Sequence, residues 1–246
     1  MSSYVYCVTR ASHPLPLEGA VGVGERSPAL RLVREQDLVA VVSDAPENLR
    51  AKRRDLVKHD AVIGRMYAAG TVLPMRFGMV APDDEAVQTE LRSRARRYGE
   101  LLCRIDGHVE LNVKGVHAEE ALLRDLLLQN DELRARNQAL RAADGGRHQD
   151  KVAFGEHVAA AVAERRARDA GQVIARLQPH AAQVRRGPPV DDCFVNVSFL
   201  VASSARPDFE GALSRLRREL PGYASVDLYG PLPPYSFVGN EASVMA

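Results

Sequence analysis

The sequence predicts an α+β protein of two domains, built from ferredoxin-like mixed sheets with packed helices and a long helical hairpin inserted in the second domain. Three observations lead there. Short β-branched and aromatic runs alternate with longer stretches of helical periodicity. At 246 residues and 46% hydrophobic, the chain has enough apolar content for two modest cores. Near Asp106-Gly107 an irregular first half gives way to a more regular second half. The expected domains are therefore 1–106, an N-terminal α+β domain, and 107–246, a ferredoxin-like domain with extended helices.

Residues 4–9 (Tyr-Val-Tyr-Cys-Val-Thr) read as a strand. Residues 11–28 hold Pro14, Pro16, Gly19, Gly22, Gly24 and Pro28, a density of breakers that makes a loop or ragged edge. Leu30–Val33 and Leu38–Ser43 flank a polar gap and read as a β-hairpin. Residues 49–69 form a helix with Leu56, Ile63, Met66 and Tyr67 near one face, and Gly70 stands at its C-terminal stop. The next segment, Val72 to Val80, contains Pro74, which cannot donate to a ladder, so it belongs at a sheet edge. Residues 83–103 form a second helix, opened by Asp83-Asp84-Glu85 at the positive end of the dipole.

His108 to Lys114 is the clearest alternating segment. Val109, Leu111 and Val113 face one way, and Glu110, Asn112 and Lys114 the other, as in a half-buried strand. Two long helices follow, 118–143 and 149–182, with a break at Asp144-Gly-Gly146. Gly187-Pro-Pro189 is a turn, residues 193–202 a buried strand, 207–220 a helix and 224–229 a strand; Gly230 to Val238 ends the pattern. The second half thus reads β–α(α)–β–α–β–β, taken as a ferredoxin-like unit with an enlarged first crossover.

Composition excludes several classes. A net charge of +1 with no long single-sign tail gives no bulk attraction to nucleic acid or an anionic membrane. Cys7, Cys103 and Cys193 are odd in number and far apart, which argues against a disulfide framework and for a reducing cytosol. No signal peptide is visible at the N-terminus, and no apolar run reaches the roughly 18–20 residues that span a bilayer. A cytoplasmic protein is expected.

Motifs for chemistry are absent or weak. Gly22-x-Gly24 lacks the third glycine and the following helix of a phosphate loop. The seven histidines form no H-x-x-x-H and pair with no cysteine at ligand spacing, so surface or capping roles are expected and no metal or cofactor is implied. No G-x-S-x-G occurs. The Leu126, Leu133, Leu140 series suggests a heptad seam, but Gln129 and Arg136 interrupt it.

Several segments, taken together and in order, resemble the gas vesicle protein F/L family (GvpF/GvpL). Leu38-Val-Ala-Val-Val-Ser43 looks like its early hairpin, Val72-Leu-Pro-Met-Arg-Phe-Gly78 its "VLP-x-RFG" element, and Val109-Glu-Leu-Asn-Val-Lys114 the strand that opens its second domain. Phe154 to Val162 with Arg165-Arg166, then Asn196 to Val201 and Phe209, resemble later elements. Gly230-Pro-Leu-Pro-Pro-Tyr-Ser-Phe-Val238 is close to the family's most specific signature, with Leu232 where Trp is usual. The resemblance implies two α+β domains related to the ferredoxin fold and an accessory role in gas vesicle assembly. It also implies binding to the small, very hydrophobic shell protein GvpA and to other accessory proteins. In some members it implies retention on the vesicle. No catalytic residue, metal or cofactor comes with it.

The candidate partner-binding residues are Arg76, Phe77, Tyr235 and Phe237. Arg76 can donate to a partner's backbone or carboxylate, although an internal ion pair, or a side chain lying along its own sheet, is the preferred local reading. Tyr235 and Phe237, two apart in an extended chain, would show both rings to one side, although filling the protein's own core is the preferred reading there. Two other classes stay open: a ferredoxin-like RNA- or small-ligand-binding module, and an enzyme whose site assembles from residues distant in sequence.

Overall fold

In the computed structural model, which describes residues 1–143 and 147–238, the chain forms two sheets with helices packed on them. β1 (Ser3–Arg10) is the centre of the first sheet. It pairs antiparallel with β3 (Leu38–Asp44), which pairs in turn with β2 (Arg31–Glu35). The predicted hairpin is therefore present, turning at Gln36 with φ 51°. On the other side of β1 lie two short pieces, β4 (Leu73–Pro74) and β5 (Val80–Ala81), giving the order β2-β3-β1-β4 with β5 also on β1. Pro74 sits at the end of that order, where its missing N–H costs no ladder bond.

Three helices complete this region. α1 (Arg53–Ala69) buries Asp55, His59, Val62, Ile63 and Met66, a stripe at helical spacing that includes two polar residues. Leu56, expected on the inner face, is 37% exposed. The single helix expected over 83–103 is two: α2 (Asp84–Ser93) and α3 (Ala95–Ile105). Asp83 caps α2 by accepting from the Ala86 N–H at 2.8 Å. At the joint, Glu90 accepts from both Arg94 and Tyr98, so each helix turns its own stripe to the core.

β6 (His108–His117) opens the second region and carries the predicted alternation. Glu110 departs from it: expected to face solvent, it is 4% exposed. The helix expected over 118–143 is also two, α4 (Glu119–Gln129) and α5 (Asp131–Ala142). Asn130 breaks them, its side chain accepting from the Leu133 N–H to cap α5. The predicted break at 144–146 lies outside the described residues. α6 (His148–Leu177) ends before Pro179, where a 3-10 turn takes over. A strand that the sequence reading missed follows, β7 (Gln183–Arg186), paired antiparallel with β8 (Cys193–Ala202). After α7 (Arg206–Glu219) comes β9 (Ala224–Leu232). The sheet order is β7-β8-β6-β9, and the order of strands and α-helices is β–α–α–α–β–β–α–β rather than β–α(α)–β–α–β–β. Gly115 on β6 leaves room for Phe194, whose ring would meet an added Cβ at 2.6 Å.

The chain divides into two compact units. One is Met1–Glu110 joined by residues 231–238; the other is Leu111–Gly230. The C-terminal stretch thus packs with the first unit, whereas the sequence reading ran the second region to the end. Residues 235–237 form a 3-10 turn, not an extended edge.

Candidate functional site: an edge loop pinned from below

Between Pro74, opposite Cys7, and Val80, opposite Tyr4, the edge of the first sheet has more residues than β1 can pair. The surplus leaves the sheet as a loop, Arg76-Phe77-Gly78. Met75 N–H still bonds Tyr6 C=O at 2.8 Å, and Val5 N–H bonds Met79 C=O at 2.9 Å, so the loop is anchored at both ends. Within it the Met79 N–H reaches the Arg76 carbonyl at 3.3 Å, closing a β-turn. Gly78 takes φ 94°, which a side chain would oppose, and this is why the Arg-Phe-Gly sequence needs its glycine.

A buried polar relay holds the loop in place. His59 lies beneath it on α1, 2% exposed. Its Nε2 is 3.1 Å from the Met75 carbonyl, which can only accept, so Nε2 carries the proton. Nδ1 is then an acceptor for the Tyr4 hydroxyl at 2.9 Å. The Tyr4 oxygen in turn accepts from Gly78 N–H at 3.2 Å. Both backbone groups that frame the exposed loop are thereby satisfied from inside. Burial keeps the imidazole pKa below its ordinary value and pushes the Tyr4 phenol well above its own.

Around the relay stand Tyr6, stacked on His59 at 5.7 Å, and Phe77, edge-on to Tyr4 at 5.9 Å and to His59 at 5.7 Å. Tyr6 is fixed by Ser43 Oγ at 3.0 Å and by the Val23 N–H at 2.7 Å. Cys7, in the same core, has a thiol pushed up to about 12 by burial and is inert.

The four sequence candidates fall in different settings. Arg76 is exposed, and its guanidinium has no ion pair or hydrogen bond among the described residues; the preferred internal ion pair is not found. Phe77 is half-buried on the core that contains Tyr4, Tyr6 and Met66, and Tyr235 packs against that same core. Phe237 is fully buried. Tyr235 and Phe237 are therefore core side chains of the first unit. Their 3-10 turn is clasped by Glu110, whose carboxylate accepts from Ser236 N–H at 2.9 Å and Ser236 Oγ at 2.6 Å. Arg104 donates to the Phe237 carbonyl at 3.2 Å.

Sequence reasoning missed Tyr4, His59 and Glu110. It assigned the histidines to surface or capping roles, but His13, His59 and the side chain of His117 are buried. One signal was available for His59. Counting back from Met66, Ile63 and Val62 by helical spacing leads to His59 and Asp55. Among the described residues, no three His, Cys, Asp or Glu gather in a way that could hold a metal ion, and no helix is long and apolar enough to cross a membrane.

Comparison with known proteins matches a family, two relatives and two solved structures. The family described as gas vesicle synthesis protein GvpL/GvpF matches residues 2–239. Gas vesicle protein F of Streptomyces sp. strain CB03234 is 45% identical over 97% of this chain and 100% of its own length. Gas vesicle protein L of the same strain is 32% identical over 96% and 92%. The fold is that of two crystal structures of GvpF. The one from Microcystis aeruginosa has a TM-score of 0.75 at 23% identity, covering 96% of this chain and 98% of the other. The one from Anabaena sp. PCC7120 has the same score at 21% identity, covering 96% and 95%.

Proposed function

The chain belongs to the gas vesicle synthesis protein GvpL/GvpF family and has a role in gas vesicle formation; from that premise we propose that it works by contact, binding the small, very apolar shell protein GvpA through the Arg76–Phe77 loop. The carrying observation is the contrast between the loop's tip and its base. The flanking carbonyl and N–H of Met75 and Gly78 are held by His59 and Tyr4, while Arg76 is exposed without an ion-pair partner among the described residues.

A loop held this way loses little entropy on binding, because its backbone is already ordered. An unpaired guanidinium beside a half-buried ring offers a planar fork for backbone carbonyls or a carboxylate, with apolar surface next to it. That suits a shell subunit that is mostly greasy yet must present polar backbone while unassembled. The neighbouring apolar side chains, from Val72 to Met75, are buried, so the loop and not the bare strand edge is the contact. In this reading the protein is non-catalytic and acts in the cytoplasm or on the growing vesicle, keeping shell subunits dispersed until they join the wall.

Co-expression with the shell protein tests this. The expected result is a soluble complex with the wild type and loss of shell recovery with Arg76→Glu. No recovery with the wild type, or equal recovery with the variant, would contradict it.

A further inference from the structure

The second unit holds a buried histidine in a different setting. His117 ends β6 with its side chain fully withdrawn from solvent. Its ring stacks on Phe194 of β8 at 4.1 Å and 10°, and meets Tyr223, just before β9, edge-on at 5.5 Å. Its open side faces α6. Nε2 is 3.1 Å from Asp169 Oδ2, and neither ring nitrogen forms a hydrogen bond among the described residues.

The charges facing this ring come from two helices. α6 supplies Asp169, Arg166 and Arg165 to the ring itself; α4 supplies Asp125 one step further out, as the partner of Arg165 at 3.0 Å. Arg165 also donates to the Tyr223 hydroxyl and to Gln129. The Arg166 Nε is buried without a hydrogen-bond partner among the described residues. Two guanidiniums stand against two carboxylates, so the cluster is charge-balanced only while the imidazole is neutral. A proton added there is a surplus positive charge where water does not reach the ring.

We propose that His117 is a proton-operated latch: neutral, it lets α6 close on the second sheet, and protonated, it loosens that helix. Asp169 attracts the proton, but burial and the two arginines oppose it, and the net effect lowers the imidazole pKa. Because the folded-state value is depressed, the stability is whole above the ordinary histidine value and declines as pH falls from there through the folded value. The segment most affected is the anchored end of α6, where Asp169, Ala170, Val173 and Leu177 are buried. This inference does not depend on the shell-binding reading.

Amide hydrogen exchange of the full chain at about pH 7.5 and about pH 5.5 tests it, with His117→Phe as the variant that keeps a stacking ring but cannot titrate. Beyond the intrinsic pH effect, exchange over residues 165–177 should speed up in acid by as much as about tenfold per unit of pKa depression. In His117→Phe that acceleration should vanish, while α1, which carries His59, keeps its own response. Equal acceleration in the variant would overturn the proposal. If the variant does not fold, an NMR titration of His117 in the wild type decides: a midpoint below the ordinary histidine value is expected, and one at or above it would sink the latch.

Discussion

His59 and His117 are both buried, both stack on aromatic rings, and both have a depressed pKa, yet they sit in opposite kinds of site. In the first unit every polar atom of the ring has a hydrogen-bond partner of fixed polarity: Met75 accepts and Tyr4 donates. In the second the ring lies against the Asp169 carboxylate without a hydrogen bond to it, and Nδ1 has no partner among the described residues. A satisfied neutral ring is a structural pin, because nothing is gained by moving it. A neutral ring inside a balanced set of charges is a sensor, because one proton unbalances the set. The same residue type thus serves rigidity beneath the proposed contact loop and responsiveness beneath a long helix.

The largest test of that contrast is Asp169→Ala. Removing the carboxylate beside the ring leaves the half-buried Arg165 and Arg166 facing Asp125 alone, and a loss of up to about 3 kcal/mol is expected in urea unfolding. A small loss would mean that the cluster is better hydrated than its burial implies. Tyr4→Phe should cost about 1–3 kcal/mol, because it strands His59 Nδ1 and the Gly78 N–H together. It should also raise hydrogen exchange across 75–79. A silent Tyr4→Phe would break the claim that the loop is pinned from below. Acid comes next. Both histidines have lowered folded-state values, so wild-type thermal stability should fall as pH drops below about 6.5. His117→Phe should remove the part of that fall reported by α6, leaving α1's share. The smallest effect on stability belongs to Arg76→Glu, within about 0.5 kcal/mol, since the side chain is exposed and makes no ion pair among the described residues. Its effect should appear in shell binding instead.

Much of the architecture was readable because local rules agreed with burial. The β2–β3 hairpin announced itself by two apolar runs around a polar gap, Pro74 marked the sheet edge, and β6 showed its alternation. The misreadings share one cause, local polarity overridden by a distant partner. Glu110 looks solvent-facing in β6, but Ser236, 126 residues later, covers it. His59 looks like a surface residue until Tyr4 and Met75 enclose it. Breaks at Arg94 and Asn130 were hidden by helical periodicity on both sides, although Asn130 followed by Asp131 and Glu132 is a capping pattern. β7 was hidden because Gln-Val-Arg-Arg carries one apolar residue and follows a helix almost without pause. Of the candidate site, Arg76 and Phe77 were legible as a motif. What lies beneath them was not, because it comes from three separate elements.

The most direct test of the central claim uses purified components. Shell protein is diluted from denaturant into buffer containing this chain, and light scattering follows its aggregation. The account predicts that the wild type holds scattering down in proportion to its concentration, and that Arg76→Glu, folded and equally stable, does not. Suppression by the variant equal to that of the wild type would contradict the assignment of the loop as the contact.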